Sequence, residues 1–427
     1  MGAGDIEQAL QGADDTRIIE TGEGVIEQVA AAFSRSFGDR PAIVIADETT
    51  RAVAGDAVAD LLARAGVSCH RLTLPSSEAI PVAVGSGTIN DIVKLASHES
   101  QRPYMVVGTA ASMDGYTAFG ASIARDGYKQ TFSCPAPAAV IADTRIVAAA
   151  PRALTASGYA DLLAKVTAGA DWLLADALGV EPVHEQAWQL VQEHLRDWTA
   201  RPDAVAAGDI DAVTDLSNGL LIVGLAMQAY RNSRPASGAE HQFSHLWEME
   251  HLQHPGTWLS HGFKVGIGTI AVATMYEGFL ELDLSAADPA QLVSSRPGRA
   301  EVERAIRLQE GPQFLLDKRV EETLAKYPDD ATLQKRLERL IGGWPSLQTR
   351  LHAQLLPARE IRDRLRRAGC PWRASDIGLS RDRLQRSFPG ARQIRRRYTV
   401  LDAAAETGSF SSLSDSAVSS MALQGAG

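Results

Sequence analysis

Five of the chain's 10 histidines, His241, His245, His251, His254 and His261, fall between residues 241 and 261. Imidazole is the commonest neutral ligand for divalent transition metals. His241 and His245 are four residues apart, so on a helix they share one face. The spacing Ser237-Gly-Ala-Glu240 predicts that helix, with Ser237 as cap and Glu240 reaching back as the other half of a capping box. His261 stands in Leu259-Ser-His-Gly262, just ahead of a helix predicted from about Val265. Two imidazoles and one carboxylate make the open three-ligand site of a catalytic metal. Asp161 and Asp171, on one predicted helix, are both candidates for the carboxylate, and spacing alone does not choose between them. His251 and His254 read as surface residues of the connection from Glu248 to Gly256.

A second chemistry is written in Val82-Ala-Val-Gly85-Ser-Gly87-Thr88-Ile89-Asn90-Asp91. A strand ends in a Gly-Ser-Gly turn and a helix begins. The small residues admit a close ligand, and the first helical N–H groups favour an anion such as the diphosphate of a dinucleotide. Asp47, just past an earlier strand, is placed to accept from ribose hydroxyls, which favours NAD over NADP. The run Gly108-Thr109-Ala110-Ala111-Ser112-Met-Asp114-Gly115-Tyr-Thr117 follows another strand. Its small residues suit a nicotinamide or ribose, and Asp114 is a candidate acceptor for a substrate hydroxyl. Arg234, ahead of the His241 helix, and Lys264 are the candidate cations for an anionic substrate.

These residues need a scaffold. The first part of the chain alternates short apolar runs (Pro41–Ala46, Val67–Leu74, Ile80–Val84, Met105–Val107, Ala138–Ala142) with helical segments. That rhythm predicts a parallel sheet covered by helices. From Pro151 onward every segment carries helical apolar spacing. The reading is an α/β domain over 1–150, an all-helical domain over 151–406, and a flexible Ser/Ala/Gly-rich tail over 407–427. The chain has 427 residues, 45% of them hydrophobic and 22% charged, ordinary values for a soluble globular protein. A net charge of -10 gives no footprint for a phosphate backbone, so nucleic acid is not expected as a partner. Three scattered cysteines give no disulfide framework. With no long apolar run and a polar N-terminus, the expectation is a cytoplasmic protein without membrane insertion.

Four stretches occurring in order, Gly85–Asp91, Thr109–Gly115, Ser233-Arg-Pro-Ala-Ser-Gly-Ala-Glu-His241 and His261-Gly-Phe-Lys-Val-Gly-Ile-Gly268, resemble the sn-glycerol-1-phosphate dehydrogenases. That family sits within the wider group of glycerol dehydrogenases, iron-containing alcohol dehydrogenases and dehydroquinate synthases. Ala374–Ser380 and Ile394–Asp402 resemble its bacterial branch, and the likeness runs over roughly residues 20–405. The resemblance implies a Rossmann-like α/β dinucleotide-binding domain plus an all-α C-terminal domain, in a dehydroquinate synthase-like architecture. It implies a homodimer, NAD or NADP, and one divalent metal, zinc or nickel with iron as the third option. By motif, Asp161, His241 and His261 would be the metal ligands, and Gly158-Tyr-Ala-Asp161 would select Asp161 over Asp171. His245 and Asp114 would contact substrate, together with Asp161 and Arg234. Gly85, Gly87, Thr88, Ile89, Asn90, Asp91, Thr109, Ala110, Ala111, Ser112 and Ala118 would line the cofactor. Three positions depart from the family: Phe263 replaces a glutamate, Ala118 a serine and Ala160 a glycine. The implied reaction interconverts dihydroxyacetone phosphate and sn-glycerol 1-phosphate. Two other readings use the same residues: a dehydroquinate-synthase-like cyclase that recycles bound NAD, and a non-catalytic protein that binds NAD or a sugar phosphate.

Overall fold

The computed structural model describes residues 3–13, 15–46, 48–71, 79–125, 128–254 and 257–423; Asp47 lies outside them. The chain forms two compact units that interleave its length. One comprises Met1–Leu163, Glu185–Ala236 and Arg367–Cys370, and the other comprises Ala164–His184, Ser237–Arg366 and Pro371–Gly427.

The first unit is built on a six-stranded sheet. Its strands are β1 (Ile18–Gly22), β2 (Ala42–Ile45), β3 (Cys69–Arg71), β4 (Ile80–Gly85), β5 (Met105–Gly108) and β8 (Ala139–Asp143). They are ordered β1-β8-β5-β4-β2-β3 and every pairing is parallel. Both faces are covered, which is why the strands read as unbroken apolar runs. Val82, Val84, Met105, Val107 and Ile141 point into one core, and Ala83, Val106 and Val140 into the other. From β2 the chain moves outward to β3, then returns across β2 to β4. Ligands bind at the carboxyl ends of strands at such a reversal, and Gly85 ends β4 there. A hairpin of β6 (Ala121–Arg125) and β7 (Tyr128–Phe132) stands apart from the sheet. Strand β1 was not legible in the sequence, because Ile-Ile-Glu-Thr-Gly is half-buried throughout and mixed in polarity. The predicted Val67–Leu74 strand is seen only as Cys69–Arg71, since residues 72–78 lie outside the described set.

The expected boundary at residue 150 differs from the observed division. The helices Arg152–Leu163 and Ile210–Tyr230 both belong to the unit that holds the sheet. Leu221 of the second packs into the same core as Ala83, Val106 and Val140. Gln228 donates to Thr16 Oγ1 at 2.7 Å and to the Thr117 carbonyl at 2.6 Å. Helical spacing reveals that a helix exists, but not which core it joins. Ile210–Tyr230 is also the one helix among the described residues long and apolar enough to cross a membrane, and 67% of that stretch is buried.

The second unit is helical apart from a two-residue hairpin, β9 (Gln253–His254) and β10 (Thr257–Trp258), too short to leave a sequence signal. Trp172 and Trp247 are core residues here, 1% and 0% exposed. The expected flexible tail is corrected: Phe410–Leu423 is a helix. Leu413, Ala417, Val418 and Met421 are buried at helical spacing, a stripe that the surrounding serines obscured.

Candidate active site

In the first unit, the helix Gly87–Glu99 opens at the carboxyl end of β4. Its cap residue, Ser86, is extended and makes no side-chain cap bond. The first N–H groups therefore lack the usual intrachain acceptor, the arrangement that suits a phosphate. A Cβ on Gly87 would stand 3.1 Å from Met113 Cε, and one on Gly85 would stand 2.8 Å from Ile89 Cβ. The second segment predicted to line the cofactor follows β5, with the Thr109 N–H donating to the Gly85 carbonyl at 3.1 Å. Thr109, Ala110, Ala111, Ser112 and Ala118 are all buried. The side chains of two residues predicted to line the cofactor make contacts within the chain. Asn90 donates to the Gly115 carbonyl at 3.2 Å and accepts from Tyr104 Oη at 3.1 Å, while Asp91 accepts from the Ser122 N–H at 3.2 Å. Their side chains brace the chain just beyond the second segment, at Gly115 and Ser122.

Lys94, which the sequence reading missed, does more of this bracing. Its ammonium is buried and donates to the carbonyls of Gly115, Ala118 and Gly120 at 2.9, 2.8 and 3.1 Å. Burial lowers its pKa, and nearby Asp91 opposes that shift. The clue was spacing: Lys94 lies four and three residues beyond Asn90 and Asp91, on the same helix face. Lys94→Met is expected to leave those carbonyls without their donor and to cost about 3 kcal/mol, measurable as a lowered midpoint in chemical denaturation.

The same unit places Asp161 beside Asp114. Asp161 is fully buried, and its Oδ2 accepts from the Asp114 N–H at 3.1 Å. Gly158, one helical turn earlier, makes the approach possible: a Cβ there would lie 2.0 Å from the Ala111 carbonyl oxygen. Ser157 fastens the contact by donating to the Ser112 carbonyl at 3.2 Å. Arg234, a candidate cation for the substrate, is buried, and its backbone N–H donates to Asn232 Oδ1 at 3.2 Å.

The second unit gathers the imidazoles. The helix Ala239–Met249 begins one residue later than the capping box predicted, with Gly238 rather than Ser237 as its cap residue. The Ala239 N–H is capped by Asp171 Oδ2 at 2.7 Å. Asp171 Oδ1 accepts from Tyr276 Oη at 2.7 Å and from the Val400 N–H at 2.8 Å. Asp171 is thus a capping carboxylate committed to three donors, which removes it as a metal candidate. Glu240 accepts from the Gly238 N–H at 2.6 Å and from Thr167 Oγ1 at 2.9 Å.

The helix His261–Leu280 starts at His261 itself, with Ser260 Oγ accepting from the Phe263 N–H at 3.3 Å. Gly268 lets it pack closely on the first helix, since a Cβ there would stand 2.6 Å from the Glu240 carbonyl oxygen. The ring centroids of His241 and His261 are 5.4 Å apart. Those of His245 and His261 are 5.6 Å apart, and those of His241 and His245 are 6.1 Å apart. His251 is exposed and His254 half-buried on the connection beyond, as expected.

Each imidazole in the cluster is held by a carboxylate. His241 Nδ1 lies 2.8 Å from Glu240 Oε1. His261 Nδ1 lies 2.9 Å from Glu248 Oε1, and His245 Nδ1 lies 3.3 Å from Glu248 Oε2. A carboxylate on Nδ1 favours the proton there and turns the lone pair onto Nε2. Burial raises the Glu240 carboxyl, but the bonds from His241 and the Gly238 N–H outweigh it and hold it below the usual carboxylate range. Lys264 is committed locally as well, 3.3 Å from Glu248 Oε1 and 3.2 Å from the Leu259 carbonyl. Glu248 was missed in the sequence, although it sits three and seven residues beyond His245 and His241, on their helix face.

A family model described as iron-containing alcohol dehydrogenase matches residues 20–151. The glycerol-1-phosphate dehydrogenase (NAD(P)+) of Halalkalibacterium halodurans is 35% identical over 256 residues, which span 55% of this chain and 64% of that protein. That of Bacillus licheniformis is 34% identical over 298 residues, 65% of this chain and 74% of that protein. The chain belongs to the glycerol-1-phosphate dehydrogenase family. The fold agrees: glycerol dehydrogenase from Schizosaccharomyces pombe superposes with a TM-score of 0.61 at 13% identity, covering 97% of this chain and 94% of that one. Family membership brings the oxidoreductase class and NAD(P) with it.

Proposed function

We propose that the protein interconverts dihydroxyacetone phosphate and sn-glycerol 1-phosphate with NAD(P)(H), in a site that holds one divalent metal. The observation that carries the metal is the carboxylate-backed imidazole cluster, in which a carboxylate at each Nδ1 favours the tautomer a metal needs. Among the described residues one group has the donor types for such an ion: Asp161, His241 and His261. His245 is outside that group, which supports a substrate role for it. Two imidazoles and one carboxylate fit zinc or nickel, and they leave coordination positions for substrate.

Bound there, the ion supplies Lewis acidity toward the substrate's carbonyl and hydroxyl oxygens. The chain's own residues do the rest. The helix starting at Gly87 and the loop Thr109–Ser112 hold the dinucleotide, which carries the hydride. His245 orients the substrate and holds or moves the proton at its hydroxyl oxygen. Asp114 accepts from a second substrate hydroxyl, and Arg234 provides a positive charge for the phosphate. The test is a screen of dihydroxyacetone phosphate against unphosphorylated dihydroxyacetone, with NADH and NADPH, on zinc- and nickel-loaded protein. The reading expects net cofactor oxidation with the phosphorylated substrate. Turnover without net change in NADH would favour the cyclase instead.

Glu248→Gln is expected to keep the fold and weaken metal binding roughly 10- to 100-fold, because the carboxylate that orients His261 is lost. Competition with a chromogenic chelator measures it. The same reading makes the protein a homodimer, on the strength of the family resemblance, and sedimentation at micromolar concentration checks the dimer.

A further inference from the structure

The helical unit contains a cavity of about 310 Å³ whose lining shares no residue with the imidazole cluster. Its size is at the small end of the range for ligand pockets. Pro297, Val302, Leu333 and Phe410 give it apolar walls, and Arg296, Lys326, Arg392, Asp402 and Glu406 supply the charges.

Those charges do not balance locally. Glu406 pairs with Arg336 at 2.8 Å, and Arg296 pairs with Asp330 at 2.6 Å. Lys326 and Arg392 share one carboxylate, Asp402, at 2.8 and 3.1 Å. Two cations on one carboxylate leave one positive charge in excess. Asp402 has little capacity left to compensate it, since it also accepts from the Thr399 N–H at 3.1 Å. Burial lowers the Lys326 pKa against the pull of Asp402, while the Arg392 side chain stays 30% exposed. A second, independent feature is Thr323, which lines the cavity, is 3% exposed, and has a hydroxyl with no hydrogen-bond partner. Buried hydroxyls are rarely left that way. The Arg296 guanidinium lies over the Tyr327 ring, 4.3 Å from its centroid.

We propose that this cavity binds a small organic anion, an apolar or aromatic body bearing one carboxylate, sulfonate or phosphate group. Arg392 and Thr323 take the anionic head, and Pro297, Val302, Leu333 and Phe410 take the body. The site is separate from the dehydrogenase chemistry and does not depend on it.

The probe is anilinonaphthalenesulfonate, with phenylnaphthylamine as its uncharged counterpart, titrated by fluorescence into the full-length protein with NAD+ saturating. The expected result is one saturable site for the sulfonate, with roughly tenfold weaker binding of the neutral compound. Arg392→Gln removes the excess charge and should bring the two compounds to similar affinity. Thr323→Val should weaken the sulfonate several-fold. Ala405→Phe, which fills the cavity without touching a charge, should abolish both while circular dichroism and dehydrogenase activity stay unchanged. Non-saturable fluorescence, equal affinity for the two compounds, or sulfonate binding that survives both Arg392→Gln and Ala405→Phe would overturn the proposal.

Discussion

His241→Ala is expected to emerge from purification without metal and with activity at background, while His245→Ala keeps its metal and loses activity by roughly 10²-fold. The two histidines share one helix face, with ring centroids 6.1 Å apart, so proximity does not separate them. Their partners do. His241 has Glu240 to itself at 2.8 Å, and Glu240 is anchored by Thr167 and the Gly238 N–H. That is the oriented imidazole a ligand needs. His245 has a longer bond to a carboxylate that also serves His261 and Lys264. Its ring has more freedom to follow a substrate. Elemental analysis of the two purified variants beside the parent protein decides the matter. Stoichiometric metal in His241→Ala, or its absence from a folded His245→Ala, would reverse the role assignment.

Gly158→Ala is expected to be the most damaging single methyl added to the α/β unit. The new carbon would sit 2.0 Å from the Ala111 carbonyl oxygen and 3.0 Å from Leu220 Cδ1. Backbone lies on one side and a packed leucine on the other, so helix Arg152–Leu163 must shift. The cost falls at the upper end of the overpacking range, about 3 kcal/mol. The shift acts on function through Asp161, whose Oδ2 holds the Asp114 N–H at 3.1 Å. Lower thermal stability and weaker metal retention should therefore appear together. Gly342→Ala, where nothing lies within 4 Å of the new carbon, serves as the neutral control.

Much of this was legible in the sequence for physical reasons. Strands buried on both faces must be apolar throughout, so β2, β4, β5 and β8 announced themselves. A tight strand-to-helix turn with no room for a Cβ needs glycine, so Gly85 and Gly87 were visible. Helical spacing put His241 and His245 on one face. What was hidden depends on contacts between distant segments. Lys94 reads as an ordinary surface lysine until the loop carrying Gly115, Ala118 and Gly120 is folded over it. Glu248 reads as a solvated charge until the helix bearing His261 is packed beside it. Asp171 and Asp161 lie on neighbouring helical stretches and look alike. Only the N–H groups of Ala239 and Val400, brought from far along the chain, show that Asp171 is a cap. The helix Phe410–Leu423 was lost because serine, a weak helix former, occupies most of its polar positions.

The most direct test of the central claim is oxidation of sn-glycerol 1-phosphate by NAD+ or NADP+, followed by absorbance, with sn-glycerol 3-phosphate as the matched control. The account predicts turnover of the first enantiomer and little of the second. Activity should vanish on dialysis against a chelator and return with zinc or nickel. Metal-loaded protein that oxidises neither enantiomer, or chelated protein verified metal-free that retains full activity, would contradict it.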